Sequence, residues 1–237
     1  MNTITGLRLF NYWRSSASHR VRIALGLKGL SYEYVVVNIL TKDQFADAYR
    51  AKNPMSQVPT LEVTEDEGAV YSIAQSLPIM EFLEERFPET RILPEDSYLR
   101  ARCRGLAEIV NSGIQPLQNL TTTKRVAQMG GDDQAWVKAF VAEGMTALAY
   151  ATMEVSGLFS VGDMPTIADC CLVPQLASAR RFGLLDADGV WADHAPLPGL
   201  HEPGRASLDA LLAIEKRCLE LPAFVDAAPD RQPDAVK

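Results

Sequence analysis

The chain has 237 residues, a length that accommodates two modest domains, and its 47% hydrophobic and 22% charged residues describe an ordinary globular protein. A formal net charge of -7 argues against a nucleic-acid surface, and no basic cluster or interleaved aromatic run contradicts that. No secretory pattern and no apolar run of membrane-spanning length is visible, so cytoplasm is the default location and no membrane partner is expected. The four cysteines, Cys103, Cys170, Cys171 and Cys218, lack C-x-x-C spacing and read as buried free thiols. With three scattered histidines (His19, His194 and His201), no metal site is predicted.

In chain order, Leu7 to Asn11 reads as a short strand. The run from Arg14 to Leu30 opens with the hydroxyls of Ser15, Ser16 and Ser18, turns apolar-periodic through Val21, Ile23, Ala24, Leu25 and Leu27, and closes on Lys28-Gly29. That is a loop feeding a helix of roughly residues 18–27, with hydroxyls gathered where the helix dipole is positive and an anion is favoured. Tyr32 to Val37, rich in aromatic and β-branched residues, predicts a buried strand, so the first third of the chain is a βαβ unit. Asp43 to Ala51 is weakly helical and Asn53-Pro54 breaks it. Val58-Pro59 then enters a strand over Leu61 to Val63, either as an edge feature or as a cis bond. A second short strand near Ala69 to Tyr71 completes a hairpin, and an apolar-periodic helix follows Gln75-Ser76-Leu77-Pro78 to Phe87, with Ser76 or its neighbour as its cap.

Two prolines in residues 88–96 mark a linker. Beyond it the strand signals vanish. Leu99 to Gln118 predicts a helix kinked at Ile114-Gln115-Pro116, and Gln134 to Val155 a second long one. Thr166-Ile167-Ala168-Asp169 fits a capping box before another apolar run, which Pro174 interrupts. Asp186 to Arg205 reads as a long polar loop, Ser207 to Leu219 as a last helix, and the terminal RQPDAVK as a fraying tail. The expected architecture is an α/β domain over residues 1–88 and an all-helical domain over 97–237.

Several segments, in order, resemble the zeta class of glutathione transferases, which includes the isomerases of maleylacetoacetate and maleylpyruvate: R-S-S-A-S-H-R-V-R-I-A-L from Arg14, N-P-M-S-Q-V-P-T-L from Asn53, Q-S-L-P-I-M-E-F-L-E-E from Gln75, G-I-Q-P-L-Q-N-L from Gly113, V-G-D-M-P-T-I-A-D-C-C-L-V-P-Q from Val161, and R-Q-P-D from Arg231. The likeness covers nearly the whole chain. It implies a thioredoxin-like N-terminal domain, an all-α C-terminal domain, glutathione as cofactor and a homodimer. Three departures stand out: Ala17 where the family usually has cysteine, His19 where an aromatic residue is common, and a longer 186–205 segment. The absent cysteine counts against a thiol-based reductive dehalogenase. It matters less to an isomerase whose reacting sulfur belongs to glutathione.

The resemblance assigns roles residue by residue. Ser15, with Ser16 beside it, matches the family's catalytic serine; a free thiol titrates near about 8.5 and is a poor nucleophile until hydroxyl donors and a helix dipole stabilise its thiolate. Val58 and Pro59 match the cis-proline turn whose valine backbone pairs with the cysteinyl part of glutathione, and Gln75 and Ser76 the γ-glutamyl site. Gln44, and from the helical domain Gln115, Asn119 and Thr121, match positions that contact glutathione in relatives. Arg14 and Arg181 match arginines implicated in holding the two carboxylates of a maleyl substrate, with Arg180 as a substitute, since arginine's fork suits carboxylates. N-L-T-T from Asn119 lacks the paired arginines of some maleylpyruvate isomerases, which favours the maleylacetoacetate type. The implied reaction is cis–trans isomerisation through reversible addition of the thiolate, with glutathione regenerated. Two rivals remain. A transferase or dehalogenase acting on α-halo acids would consume glutathione, and a non-catalytic protein of this fold would survive loss of Ser15.

Overall fold

In a computed structural model, which describes residues 2–192 and 205–236, β1 (Ile4–Asn11) buries Leu7, Leu9, Phe10 and Asn11 and delivers the chain into α1 (Ser16–Leu27). α1 is buried from Ser18 to Leu25, which fits the dense apolar run there. It ends in a paired-bond stop: Leu30 N–H reaches Leu25 O and Gly29 N–H reaches Gly26 O, with Gly29 at φ +65, a backbone region that favours glycine. β2 (Glu33–Val36) runs parallel to β1. After a 3₁₀ turn at Asp43–Phe45 and α2 (Asp47–Arg50), a cis Val58-Pro59 bond leads into β3 (Thr60–Glu65). β4 (Val70–Ala74) returns antiparallel and feeds α3 (Ser76–Arg86). The four strands lie in the order β2-β1-β3-β4, with only the β1–β2 pair parallel. This is the thioredoxin-like βαβ-ββα arrangement. β2 corrects one expectation, because it is an edge strand, and Val36 is 46% exposed rather than buried.

The helical part begins at α4 (Ser97–Glu108), capped by the Asp96 carboxylate on Leu99 N–H at 2.8 Å. The expected kink is a π-helical turn, Ile109–Ile114, that passes into α5 (Gln115–Gln118). Pro116 carries no N–H for the regular ladder, so the register changes at that point. α6 (Leu120–Gln128) and α7 (Asp133–Met153) follow. A Cβ on Gly144 of α7 would lie 2.2 Å from the Ile114 side chain, so this close approach requires glycine. α8 (Ile167–Arg181) is buried from Ile167 to Leu176 and carries all the marks of a core helix, Pro174 notwithstanding. At its start the wholly buried Asp169 accepts Thr166 N–H at 2.7 Å, the Thr166 hydroxyl at 2.9 Å and Ser160 N–H at 2.8 Å. Burial raises its pKa and those bonds oppose the rise. α9 (Arg205–Cys218) and α10 (Pro222–Asp226) complete the helices. Residues 193–204, with His194 and His201 and most of the expected polar loop, lie outside the described residues.

The chain divides into one unit of residues 1–92 and 221–237 and a second of 93–220. The C-terminal segment therefore belongs with the sheet, not with the helical domain expected to run to residue 237. The reason is specific. Gly26 of α1 leaves room for Ala223 of α10, whose atoms would stand 3.1 Å from an added Cβ. Within the tail expected to fray, Asp234 is anchored, accepting hydrogen bonds from Trp13 and Tyr34. All four cysteines are buried free thiols.

Two buried titratable side chains generate predictions. Lys28, with a fully buried side chain, donates to Glu84 at 2.9 Å, Phe87 O at 2.9 Å and Thr90 O at 2.7 Å, using all three ammonium protons. Glu84→Ala strands that ammonium, and a drop of about 3–5 kcal/mol in urea unfolding is expected, with a smaller loss when Lys28→Met is added. His19 is 3% exposed, and burial, followed by the charge of Arg22, lowers its pKa to about 3. The unfolded chain therefore takes up a proton near pH 6.5 that the folded chain refuses, so stability is lost as the pH drops from about 6.5 toward 3. His19→Leu should spare about 2 kcal/mol of the stability lost between pH 7 and pH 4.5, read from urea midpoints against the parent chain.

Candidate active site

The strand registers gather the N-terminal candidates at one end of the sheet. Phe10 near the end of β1 pairs with Thr60 at the start of β3, and Thr60 pairs with Ala74 at the end of β4. The chain beyond each of these residues therefore leaves at the same place: the Ser15 loop after β1, Val58-Pro59 before β3, and Gln75-Ser76 after β4. Ser15 is the cap of α1 and its Oγ accepts Ser18 N–H at 3.2 Å. Its hydroxyl proton stays available to a ligand, and Ser16 follows as the first helical residue. Ser15 N–H closes a turn onto Tyr12 O at 3.0 Å. Arg14 is exposed with its guanidinium 5.7 Å from the Trp13 ring centroid. An anion at this helix end meets a hydroxyl donor, first-turn N–H groups and the positive dipole end.

The turn before β3 is held from below. The Tyr49 hydroxyl donates to Gln57 O at 2.5 Å, and the Asn53 amide donates to the same oxygen at 2.7 Å. Among the described residues, no backbone partner takes the N–H or C=O of Val58, which leaves both edges of that peptide for a ligand strand. Gln75 adopts φ +73 and ψ 133 at the start of α3, a sparsely populated conformation for a non-glycine residue, costing roughly 1–3 kcal/mol. It is the helix cap by position, yet its side chain makes no capping bond and instead donates to Gln57 Oε1 at 3.4 Å. Ser76, 2% exposed, is the first helical residue and receives Arg20 Nη1 at 3.2 Å. Gln44 lies in the 3₁₀ turn with Oε1 buried and without a hydrogen-bond partner. Hydroxyl, amide and open peptide groups around a helix start suit a peptide-like thiol with a terminal carboxylate, which is what glutathione is.

In the second unit the candidates are less committed to a ligand. Asn119 caps α6, its Oδ1 accepting Thr121 N–H at 3.3 Å, so a local role accounts for that pair. Gln115 is half-buried at the start of α5 and the Thr121 side chain is exposed. Arg181 is exposed at the end of α8, with its guanidinium 5.0 Å from the Phe182 ring centroid. Arg180 is not a substitute for it. Both its Nη atoms are engaged by the Glu215 carboxylate, at 2.6 and 2.5 Å, a pairing between α8 and α9 that local sequence did not reveal. Sequence reasoning also passed over Arg20 and Arg22, whose side chains are buried in α1. Their signal was two arginines inside an otherwise apolar helix, since such charges are seldom buried unless paired.

Comparison with known proteins shows which family the chain belongs to. Residues 14–86 match the glutathione S-transferase N-terminal domain family. The maleylacetoacetate isomerase of Mus musculus is 41% identical over 229 residues, covering 95% of this chain and 94% of its own length. A crystal structure of maleylacetoacetate isomerase from Anaeromyxobacter dehalogenans with glutathione bound in its active site is 46% identical, with a TM-score of 0.83 and full coverage of both chains. A second structure of that enzyme, 45% identical with a TM-score of 0.82 and the same coverage, holds dicarboxyethyl glutathione and citrate. A holo structure of maleyl pyruvate isomerase, a bacterial glutathione S-transferase in the zeta class, is 39% identical with a TM-score of 0.80 and covers 97% of this chain and 100% of its own. With identity at this level over its whole length, the chain belongs to the zeta class of glutathione transferases.

Proposed function

We propose that this protein catalyses the glutathione-dependent cis–trans isomerisation of a maleyl keto acid, maleylacetoacetate foremost and maleylpyruvate next. The observation that carries the reading is the Ser15 cap, a hydroxyl whose proton is left to donate at the positive end of α1. The chemistry is supported by the relative that holds dicarboxyethyl glutathione. A thiol bearing that substituent is what addition across the double bond of a maleyl dicarboxylate yields.

Glutathione, when bound, supplies the thiolate that adds to an alkene carbon and is expelled after rotation about the resulting single bond. The chain's residues bind and orient. Ser15, assisted by Ser16, stabilises the sulfur anion by hydrogen bonding and dipole. The Val58 peptide, ahead of the buried Pro59, takes the cysteinyl backbone, while Ser76 and Gln75 take the γ-glutamyl end and Gln44 adds an amide. Gln115, Asn119 and Thr121 are further glutathione contacts in this reading. Arg14 and Arg181 hold the substrate carboxylates and stabilise negative charge as it develops on the keto acid. His19, 3% exposed and with its pKa lowered to about 3, stays neutral at neutral pH.

The same reading includes a homodimer and a cytoplasmic location. Four free cysteines fit a reducing compartment, and among the described residues no helix is long and apolar enough to cross a membrane.

Purified protein given maleylacetoacetate should convert it only when glutathione is present, with free thiol unchanged at the end. Thiol consumed on an α-halo acid, without isomerisation, would assign it to the transferases instead. Ser15→Ala should lower kcat/KM by about 10–100-fold, the scale of one hydrogen bond to a charged group. Ser76→Ala should raise the KM for glutathione by about tenfold with kcat nearly kept, the signature of lost ground-state binding.

A further inference from the structure

We infer that Asp234, acting through the backbone of Trp13, is a positioning residue for the thiolate-activating serine loop. The C-terminal segment is then a working part of the catalytic end of the first unit. The inference rests on the reading of Ser15 as the partner of the glutathione sulfur.

Both polar groups of the Trp13 backbone are held by distant parts of the chain. Its N–H donates to Asp234 Oδ2 at 3.1 Å, and its carbonyl accepts Arg22 Nη2 at 3.0 Å. The carboxylate is itself oriented, because its other oxygen accepts the Tyr34 hydroxyl at 2.5 Å. Burial, with the Asp234 bond adding to it, raises the pKa of Tyr34, so the phenol remains a donor. The segment that presents Asp234 is fastened in turn. Ala227 O accepts Arg22 Nε at 3.1 Å, and the Gln232 amide donates to Asp226 O and Ala228 O, each at 2.8 Å.

A mere fastener for the tail would need only the Tyr34 hydroxyl at the sheet edge. The bond to Trp13 N–H goes further, because it lands two residues from Ser15. Tyr12 to Ser15 form one closed turn, through Ser15 N–H on Tyr12 O, and Trp13 is inside it. Arg14 rests on the Trp13 ring, so a shift of Trp13 displaces both the serine and the arginine assigned to the substrate. A serine hydroxyl stabilises a thiolate only at hydrogen-bond distance and angle, and that directional term weakens with small displacements. The clasp therefore acts on the sulfur's acidity more than on the grip on the peptide.

The test is the titration of glutathione bound to the full chain, followed by thiolate ultraviolet absorbance, in Asp234→Ala, Asp234→Asn and Tyr34→Phe. S-methylglutathione, which has no thiol to ionise, measures binding separately. Asp234→Ala should raise the bound thiol's midpoint by about 0.5–1 in pH, a three- to tenfold smaller ratio of thiolate to thiol at a given pH, with S-methylglutathione affinity within about twofold. Asp234→Asn keeps one carbonyl acceptor and should fall between, and Tyr34→Phe should give a smaller shift in the same direction. An Asp234→Ala protein that binds S-methylglutathione normally and ionises the thiol like the parent overturns the inference. If that variant does not fold, unchanged midpoints in both milder variants overturn it equally. Ser15→Ala with a parental midpoint would instead sink the reading of Ser15, and the clasp's proposed route with it.

Discussion

The first unit depends on a guanidinium taken out of water. Arg22 is 2% exposed and spends its donors on three acceptors from three places: Asn11 Oδ1 at the end of β1, Trp13 O in the loop, and Ala227 O in the C-terminal segment. Burying a charge costs several kcal/mol, and burial indeed pulls the Arg22 pKa down. Charge-assisted bonds of about 1.5–3 kcal/mol each offset that cost only if all three acceptors stay in place. The arginine thus makes strand end, serine loop and tail conditional on one another. A lysine, with one point charge and no fork, would not span the three.

The features legible in the sequence were those set by neighbours along the chain. Ser15 before an apolar run, Gly29 after it, Thr166 with Asp169, and proline at 116 each act within a turn or two, and each took the expected part. Features set by distant partners were less accessible. The pattern Tyr32 to Val37 carries the composition of a core strand, yet whether a strand is central or at an edge depends on which other strands arrive, and β3 took the inner place beside β1. Arg180 and Arg181 are indistinguishable as a dipeptide; only the arrival of Glu215 on α9 commits the first of them. The tail reads as polar and proline-bearing, and its Asp234 is held by Trp13 and Tyr34, some two hundred residues earlier, which no local pattern shows. The candidate site divides in the same way. Its serine, proline and glutamine-serine positions could be read from motifs, whereas Arg20 beneath Ser76 could not.

The site also gains from what does not titrate. His19 sits four residues beyond Ser15 on the same helix, where a charged imidazolium would compete for any anion and switch on and off near neutral pH. Burial removes that possibility, so His19 adds no charge that switches near neutral pH at the start of α1.

Ala17 sharpens the question of where a reactive sulfur comes from. The family often has a cysteine at this position, in the first turn of α1, where the dipole would favour its thiolate. This chain has none there, and its own thiols do not replace it. Burial pushes Cys103 up to about 11 and raises Cys170 and Cys218 as well, and all four cysteines lie in the interior of the helical unit. A thiol that stays protonated and shielded is neither nucleophile nor redox partner at neutral pH. The helix end, meanwhile, offers features that lower the pKa of a bound sulfur: a hydroxyl, first-turn N–H groups and the positive end of the dipole. With its own cysteines buried in the helical unit, the chain relies on the thiol of glutathione, which arrives from outside and leaves again.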